Sequence, residues 1–499
     1  MTEPGFERCE GPLSLDADVV VVGSGAGGAA CADRLALAGV GVLVLELGER
    51  ELPASFTQRE EEMIPRLFQE GGGRATVDAA ITVLQGKGVG GSTLHNLNLC
   101  KRVSETLVAR WAVIQRLPGL ADRLEEHYRA VEQDLGVHVV PDARHSEHNQ
   151  VFRRGAQKLG WSNGPLQHNR QGCLGSGYCF LGCAYDAKQN AAKVLLPRAV
   201  DHGARVLSNV RVERIRHRLG AATGVDGRSA EGHRVQVRAK HVVLAASATG
   251  SAALVLASGL RDRHHQAGEG LHLHPAVTVG GVMTSQVRAW EGIPQSWECT
   301  EHLHPTDPER NVWLVPAFGH PVAAAAMVPG FGAEHSGLMA HYPRMAACVA
   351  MLHDHSSGRV SARRDGTPRI HYRLGNADLA SVSRGMAHAA KLLLAAGAQR
   401  VVAPTARPLV VRTLAEADTL RTVRSRRLDP ALAAAHPMGG LRMAGDPRLG
   451  AVDPSGRYHG AKRLWVADGS LMPSSTGGPP QLTIYALGRL VGSELAAAI

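Results

Sequence analysis

Three glycines, Gly23, Gly25 and Gly28, form G-x-G-x-x-G directly after the apolar run at residues 19–22. An acid, Glu46, closes a second apolar run roughly twenty residues further on. Glycines of this spacing let a tight turn, with Ala26 inside it, expose backbone N–H groups at a helix N-terminus, where a pyrophosphate can sit. The acid would then accept the hydroxyls of an adenosine ribose. The motif does not separate FAD from NAD. Further on, Gly86, Gly88, Gly90 and Gly91 are too dense for ordinary structure and suggest backbone lying directly against a ligand. Ser92, Thr93, Asn96 and Asn98 would supply short polar contacts there. Cys173, Cys179 and Cys183 make C-x5-C-x3-C, three thiols in eleven residues among glycines. Thiols so placed either stay reduced in a tight loop or ligate an iron–sulfur cluster, and zinc would want a fourth ligand. Finally, the apolar run at 464–467 ends in Asp468 and Gly469, a usual place for an acid to touch a ribityl or phosphate group at a sheet edge.

These residues need elements to hold them. Residues 19–22 read as a strand buried on both faces of a parallel sheet, 29–38 as an Ala- and Leu-rich helix ended by Gly39, and 42–45 as the next strand. Residues 49–62 predict a charged loop leading into a short helix, and 104–160 are helical in pattern with a break at 117–120. A short helix is predicted over 190–196, ended or kinked by Pro197. Strands follow at 204–207, 210–215 and 241–247, with the polar, Gly-rich 219–234 as a hairpin tip. From about residue 271 the pattern changes. Apolar segments at 277–282 and 312–315, separated by Pro and Gly, predict an antiparallel sheet, with a hairpin near 357–372 and a helix over 378–396. Residues 482–495 predict one more helix.

The chain of 499 residues is long enough for two or three lobes, and 44% apolar against 20% charged residues is a globular balance. The net charge of +10 is dispersed, with no basic block and no motif for a nucleic-acid partner. No run approaches the roughly eighteen apolar residues of a membrane span. Glu3, Glu7 and Glu10 leave no apolar leader at the start, so a cytoplasmic protein is expected. In that compartment the eight cysteines would be free, ligating or catalytic thiols rather than a disulfide framework.

The stretch from Gly86 to Asn96, G-K-G-V-G-G-S-T-x-x-N, resembles the first signature of the glucose–methanol–choline (GMC) flavin oxidoreductases. Residues 249–260 are loosely similar to the second signature. The block holding Ala435-His-Pro-Met-Gly-Gly, Leu464-Trp-Val-Ala-Asp-Gly-Ser and Thr476-Gly-Gly-Pro-Pro-Gln-Leu-Thr-Ile is similar to the C-terminal third of that family. The resemblance implies an α/β chain, α+β overall, with a Rossmann-like FAD-binding domain built from residues 16–103, 187–270 and 430–499. A helical, Cys-rich insertion would span 104–186, and a substrate domain with an antiparallel sheet 271–429. It decides FAD over NAD. Gly90, Gly91, Ser92 and Asn96 would run along the diphosphate and flavin, Glu46 would hold the ribose and Val212 would lie near the adenine. Asp468, Gly469, Gln481 and Thr483 would complete the cofactor set.

By the same resemblance His436 is the catalytic base, taking the proton of a substrate hydroxyl as a hydride leaves for flavin N5. A base that titrates near the working pH suits that step. The Cys173 segment and the C-terminal ending look nearer to bacterial dehydrogenases and long-chain or sterol alcohol oxidases than to sugar oxidases. A bulky or apolar alcohol is therefore expected, with O2 or another electron acceptor. Two positions depart from the family. Gly440 replaces a Thr, and Pro479 stands where an Asn or His helps to bind the substrate oxygen. Proline has no side-chain donor and no N–H, so Gln481, His95 or a water would have to substitute. The alternatives are a non-oxidative, lyase-like flavoprotein or an electron-transfer subunit. The latter would carry a cluster on Cys173, Cys179 and Cys183, since some GMC dehydrogenases hold a three-iron cluster on a similar segment.

Overall fold

Residues 19–22 are all valine and at most 5% exposed, because they form the inner end of the central strand of a parallel array. The structure is a computed structural model in which residues 3–317 and 319–499 are described. The strand runs over Leu13–Val22, pairing in parallel with Val42–Leu45 on one side and with Arg234–Leu244 on the other. Arg205–Ser208 and Phe6–Arg8 extend the sheet on the first side, and Leu464–Val466 joins Arg234–Leu244 in parallel. The helices Ala26–Leu37 and Gln481–Ala498 cross closely: a Cβ on Gly488 would lie 2.3 Å from the carbonyl oxygen of Gly27.

Two local expectations are corrected. Residues 219–234 are not mainly a hairpin tip, since Ala221–Ser229 is a strand paired antiparallel on both sides. Its glycines permit close strand approach. A Cβ on Gly224 would meet the Val237 oxygen at 1.9 Å, and one on Gly227 the Arg211 oxygen at 2.4 Å. Nor does Pro197 end a helix. A π-helical turn at Ala191–Leu195 leads into the α-helix Leu196–Asp201, with Pro197 in its first turn, where its missing N–H has no helical partner to lose.

The second sheet has nine strands, with Ala276–Val282, Met345–Leu352 and Val312–Pro316 antiparallel at its centre. Met345–Leu352 alternates cleanly: Ala346, Cys348, Ala350 and Leu352 are buried, and the helix Asn376–Ala395 packs on this sheet. Its other face, with Val349 and Met351, looks into a cavity. Ile81–Val83 and Leu432–Ala434 pair in parallel and join this sheet through Ala276, although both lie in segments expected in the cofactor lobe. The two lobes therefore share a wall. No helix among the described residues is long and apolar enough to cross a membrane.

Burial pushes His148, His302 and His353 each down to about 4. The unfolded chain protonates such groups near pH 6.5 and the native state only near pH 4. Stability is thus full above about pH 6.5 and is lost as pH falls toward 4. For the fully buried His148 the loss is about 3 kcal/mol. Denaturant midpoints should decline steadily below about pH 6.5, and a flat profile down to about pH 4.5 would refute this.

Candidate active site

A cavity of about 970 Å³ lies between the ends of the parallel strands and the open face of the antiparallel sheet, large enough for a dinucleotide and a substrate together. The three motif glycines have different duties. Gly23 has φ +104° and a Cβ there would strike the Ala245 oxygen at 2.3 Å, while one on Gly28 would meet the Gly23 oxygen at 2.0 Å. Gly25 is the one that faces open space, with Gly91 Cα its nearest neighbour at 4.0 Å. The helix Ala26–Leu37 begins with no side-chain cap and no acid in its first turn. Its first N–H groups are therefore free to receive an anion beside Gly25, Ala26 and Gly91. This cradle fits the diphosphate of a dinucleotide.

Glu46 ties the cradle together. One carboxylate oxygen accepts the Ser24 amide at 3.1 Å and its hydroxyl at 2.6 Å; the other accepts the amides of Gly48 at 2.9 Å and Gly88 at 3.1 Å. Burial raises its pKa against these four donors. The Ser24 hydroxyl also accepts the Gly90 amide at 3.0 Å. Ser92, Asn96, Val212, Asp468, Gly469 and Gln481 all line the cavity, so motifs almost 400 residues apart meet there. Asn96 donates to the Gln481 amide oxygen at 2.6 Å, and Gln481 donates to the Leu99 carbonyl at 2.7 Å. Asp468 accepts from Ser251 and Ser470, and burial raises its pKa. Gly28, Gly90 and Thr483 stand behind the cavity wall. Thr483 hydrogen-bonds Tyr128 at 2.7 Å on the far side of its helix, which keeps its hydroxyl away from the cofactor space.

The cysteine loop sits beside this cradle. Cys173 accepts from Arg170 at 3.6 Å and from the Gly175 amide at 3.4 Å, and Cys183 accepts the Ala187 amide at 3.3 Å. All eight cysteines are free thiols, and burial pushes Cys179 up. No group of three or more His, Cys, Asp or Glu among the described residues could hold a metal ion. Lys188, which burial pushes down to about 8, donates to the carbonyls of Leu94 at 2.8 Å, Asn96 at 2.7 Å and Cys179 at 3.0 Å.

His436 is half-buried and lines the same cavity. Burial pushes it down to about 4, so the ring is neutral near pH 7. Its Nδ1 lies 2.8 Å from Nδ1 of His274, and its Nε2 makes no hydrogen bond to a described residue. Pro479 also lines the cavity. Of the groups expected to replace the missing donor, Gln481 has its amide committed to Asn96 and Leu99. His95 is buried against Phe68 at 3.9 Å between ring centroids and lies at about 3. Leu97, Leu99, Trp313, Val349 and Met351 make the neighbouring surface apolar. Sequence reasoning missed His274, Trp313 and Met351. His274 lies 162 positions from His436, and the pairing of its segment with residues 433 and 438 brings it close.

The models of the family described as GMC oxidoreductase match this chain over residues 64–276 and 354–488. An uncharacterised GMC-type oxidoreductase of Mycobacterium tuberculosis is 36% identical over 98% of this chain and 77% of its own length. A long-chain-alcohol oxidase of Arabidopsis thaliana is 27% identical over 97% of this chain and 68% of its own. Among solved structures, a formate oxidase of Aspergillus oryzae, from work on FAD modification, has a TM-score of 0.73 at 15% identity. It covers 98% of this chain and 99% of that one.

Proposed function

The chain belongs to the GMC oxidoreductase family, and from that premise we propose that it oxidises the hydroxyl-bearing carbon of a bulky, apolar alcohol to a carbonyl. It is an oxidoreductase and its cofactor is FAD, which when bound in the cavity would supply the acceptor for a hydride from the alcohol carbon. The protein binds, orients and moves a proton. The free N–H groups at the start of the helix Ala26–Leu37, with Gly91, take the diphosphate. Glu46 meets the ribose in addition to holding the cradle, Val212 flanks the adenine, and Asp468 with Gly469 borders the flavin. His436 takes the hydroxyl proton on Nε2. The apolar surface of Leu97, Leu99, Trp313, Val349 and Met351 selects a substrate with little polarity around the reacting carbon. The likeness to a long-chain-alcohol oxidase agrees with that choice.

One observation carries the reading: a neutral histidine presents a nitrogen without a protein partner to the cavity that the glycine cradle opens into. Holoenzyme mixed without oxygen with primary alcohols of increasing chain length, a sterol and a sugar provides the test. Long-chain or sterol alcohols should bleach the flavin and sugars should not; a flavin that stays oxidised with every alcohol refutes the reading. The bleaching rate should hold through about pH 6 and fall only as His436 protonates near about 4. An acid limb centred at the ordinary histidine value, about 6.5, would contradict the buried, neutral base.

A further inference from the structure

We propose that His274 is a positioning residue that makes His436 a base, an inference that rests on the role given to His436 above. Two neutral rings joined Nδ1 to Nδ1 at 2.8 Å share one proton between them. When His436 holds it, His436 Nε2 keeps its lone pair toward the cavity and can take the hydroxyl proton. When His274 holds it, the His436 proton sits on Nε2 and the ring cannot act as a base. Only the first arrangement survives the reaction, because a protonated His436 carries N–H groups at both nitrogens and needs an acceptor at Nδ1. In the step itself the substrate O–H bond breaks and an N–H bond forms at His436 Nε2. The C–H electron pair leaves with the hydride for the flavin. His274 neither gains nor loses a proton; it accepts a hydrogen bond throughout.

The backbone is built to keep this pairing. His272 and Met438 exchange two backbone hydrogen bonds at 2.8 Å, an antiparallel register that sets 274 opposite 436. Asp354, 2% exposed, accepts the Leu273 amide at 3.2 Å and the His274 amide at 3.1 Å. Its carboxylate also accepts the Tyr372 hydroxyl at 2.5 Å and lies 3.4 Å from His272 Nδ1. The groups facing His274 are thus His436, Asp354, His353, His272 and Tyr372, and burial with the neighbouring His436 keeps its ring neutral. His274 itself holds φ +56° although it is not glycine and precedes Pro275, a backbone state that both features disfavour. Its Nε2 is buried with no partner among the described residues. Strain and an unpaired polar atom at one residue persist where the surroundings hold that residue for a purpose. The second imidazole also stands in a site whose other expected side-chain donor is replaced by Pro479.

Holoenzymes carrying His274→Leu and His274→Asn provide the test. The Leu variant should reduce its flavin about 10- to 100-fold more slowly with substrate affinity changed less than about threefold. The Asn variant should recover most of the rate, because its amide oxygen can accept from His436 Nδ1–H and Asn tolerates the left-handed backbone. Selective 15N-histidine labelling, with His436 assigned by signal loss in His436→Gln, reads the ring directly. Wild type and the Asn variant should show His436 protonated at Nδ1, and the Leu variant at Nε2. A Leu variant with wild-type reduction, or with His436 still protonated at Nδ1, overturns the proposal. If the Leu variant does not fold, an Asn variant with His436 protonated at Nε2 overturns it equally. If no alcohol reduces the wild-type flavin, the assigned reaction fails, while the ring signals still decide the role of His274.

Discussion

His436→Ala should slow flavin reduction by alcohol about 10²–10⁴-fold while FAD stays bound. The ring hydrogen-bonds His274 and makes no hydrogen bond to the diphosphate cradle, so its loss should remove the proton acceptor and leave cofactor retention intact. The alanine opens a small space beside His274, whose Nδ1 then loses its partner, and a modest fall in stability follows. The diagnostic measurement is single-turnover bleaching under nitrogen, since steady-state turnover would mix in reoxidation. Equal bleaching by wild type and variant would remove His436 from the chemistry.

Gly25→Val should lower FAD affinity at least about 100-fold while the apoprotein stays folded, within a few degrees of wild-type melting. Its φ of −66° suits a β-branched residue, and the nearest atom to a Cβ there is 4.0 Å away. The added Cβ therefore meets the protein at no less than ordinary contact distance, and the side chain occupies the place beside Gly91 where the cradle receives phosphate. Gly27→Ala is the contrasting variant. Its Cβ would lie 1.9 Å from the Ala467 oxygen, so the helix must move off the sheet, and the fold itself should suffer. Isothermal titration of apoprotein with FAD, beside thermal melts of both variants, separates the two effects. Full FAD affinity in Gly25→Val would mean that the cofactor lies elsewhere.

Local signals were legible in the sequence and long-range ones were not. Four consecutive valines at 19–22 announce a strand buried on both faces, and Glu46 follows at the distance of one helix and one strand. The Gly90-Gly91 stretch and Asp468 carry enough family character to be placed around the same cofactor, and both adjoin the cavity region. The glycines at 224 and 227 misled, because a glycine needed for close strand approach has the same composition signal as one needed for a turn. Thr483 matches by position, yet its side chain leaves the opposite face of its helix to meet Tyr128, and motif matching does not report facing. His274 carries no local signal at all; its place depends on an antiparallel register between residues 272 and 438.

The parallel pairing of Leu13–Val22 with Arg234–Leu244 has a consequence for synthesis on the ribosome. Between the end of the first strand and the start of its neighbour lie 234 − 22 − 1 = 211 residues. At roughly 5–20 residues per second, the valine strand waits on the order of 10–40 seconds before that edge is covered. Val42–Leu45 protects the other edge early. During the interval the nascent chain displays an unpaired strand edge that ends in four valines, so recovery of flavin-loaded protein should depend on translation speed and on chaperones that shield such edges.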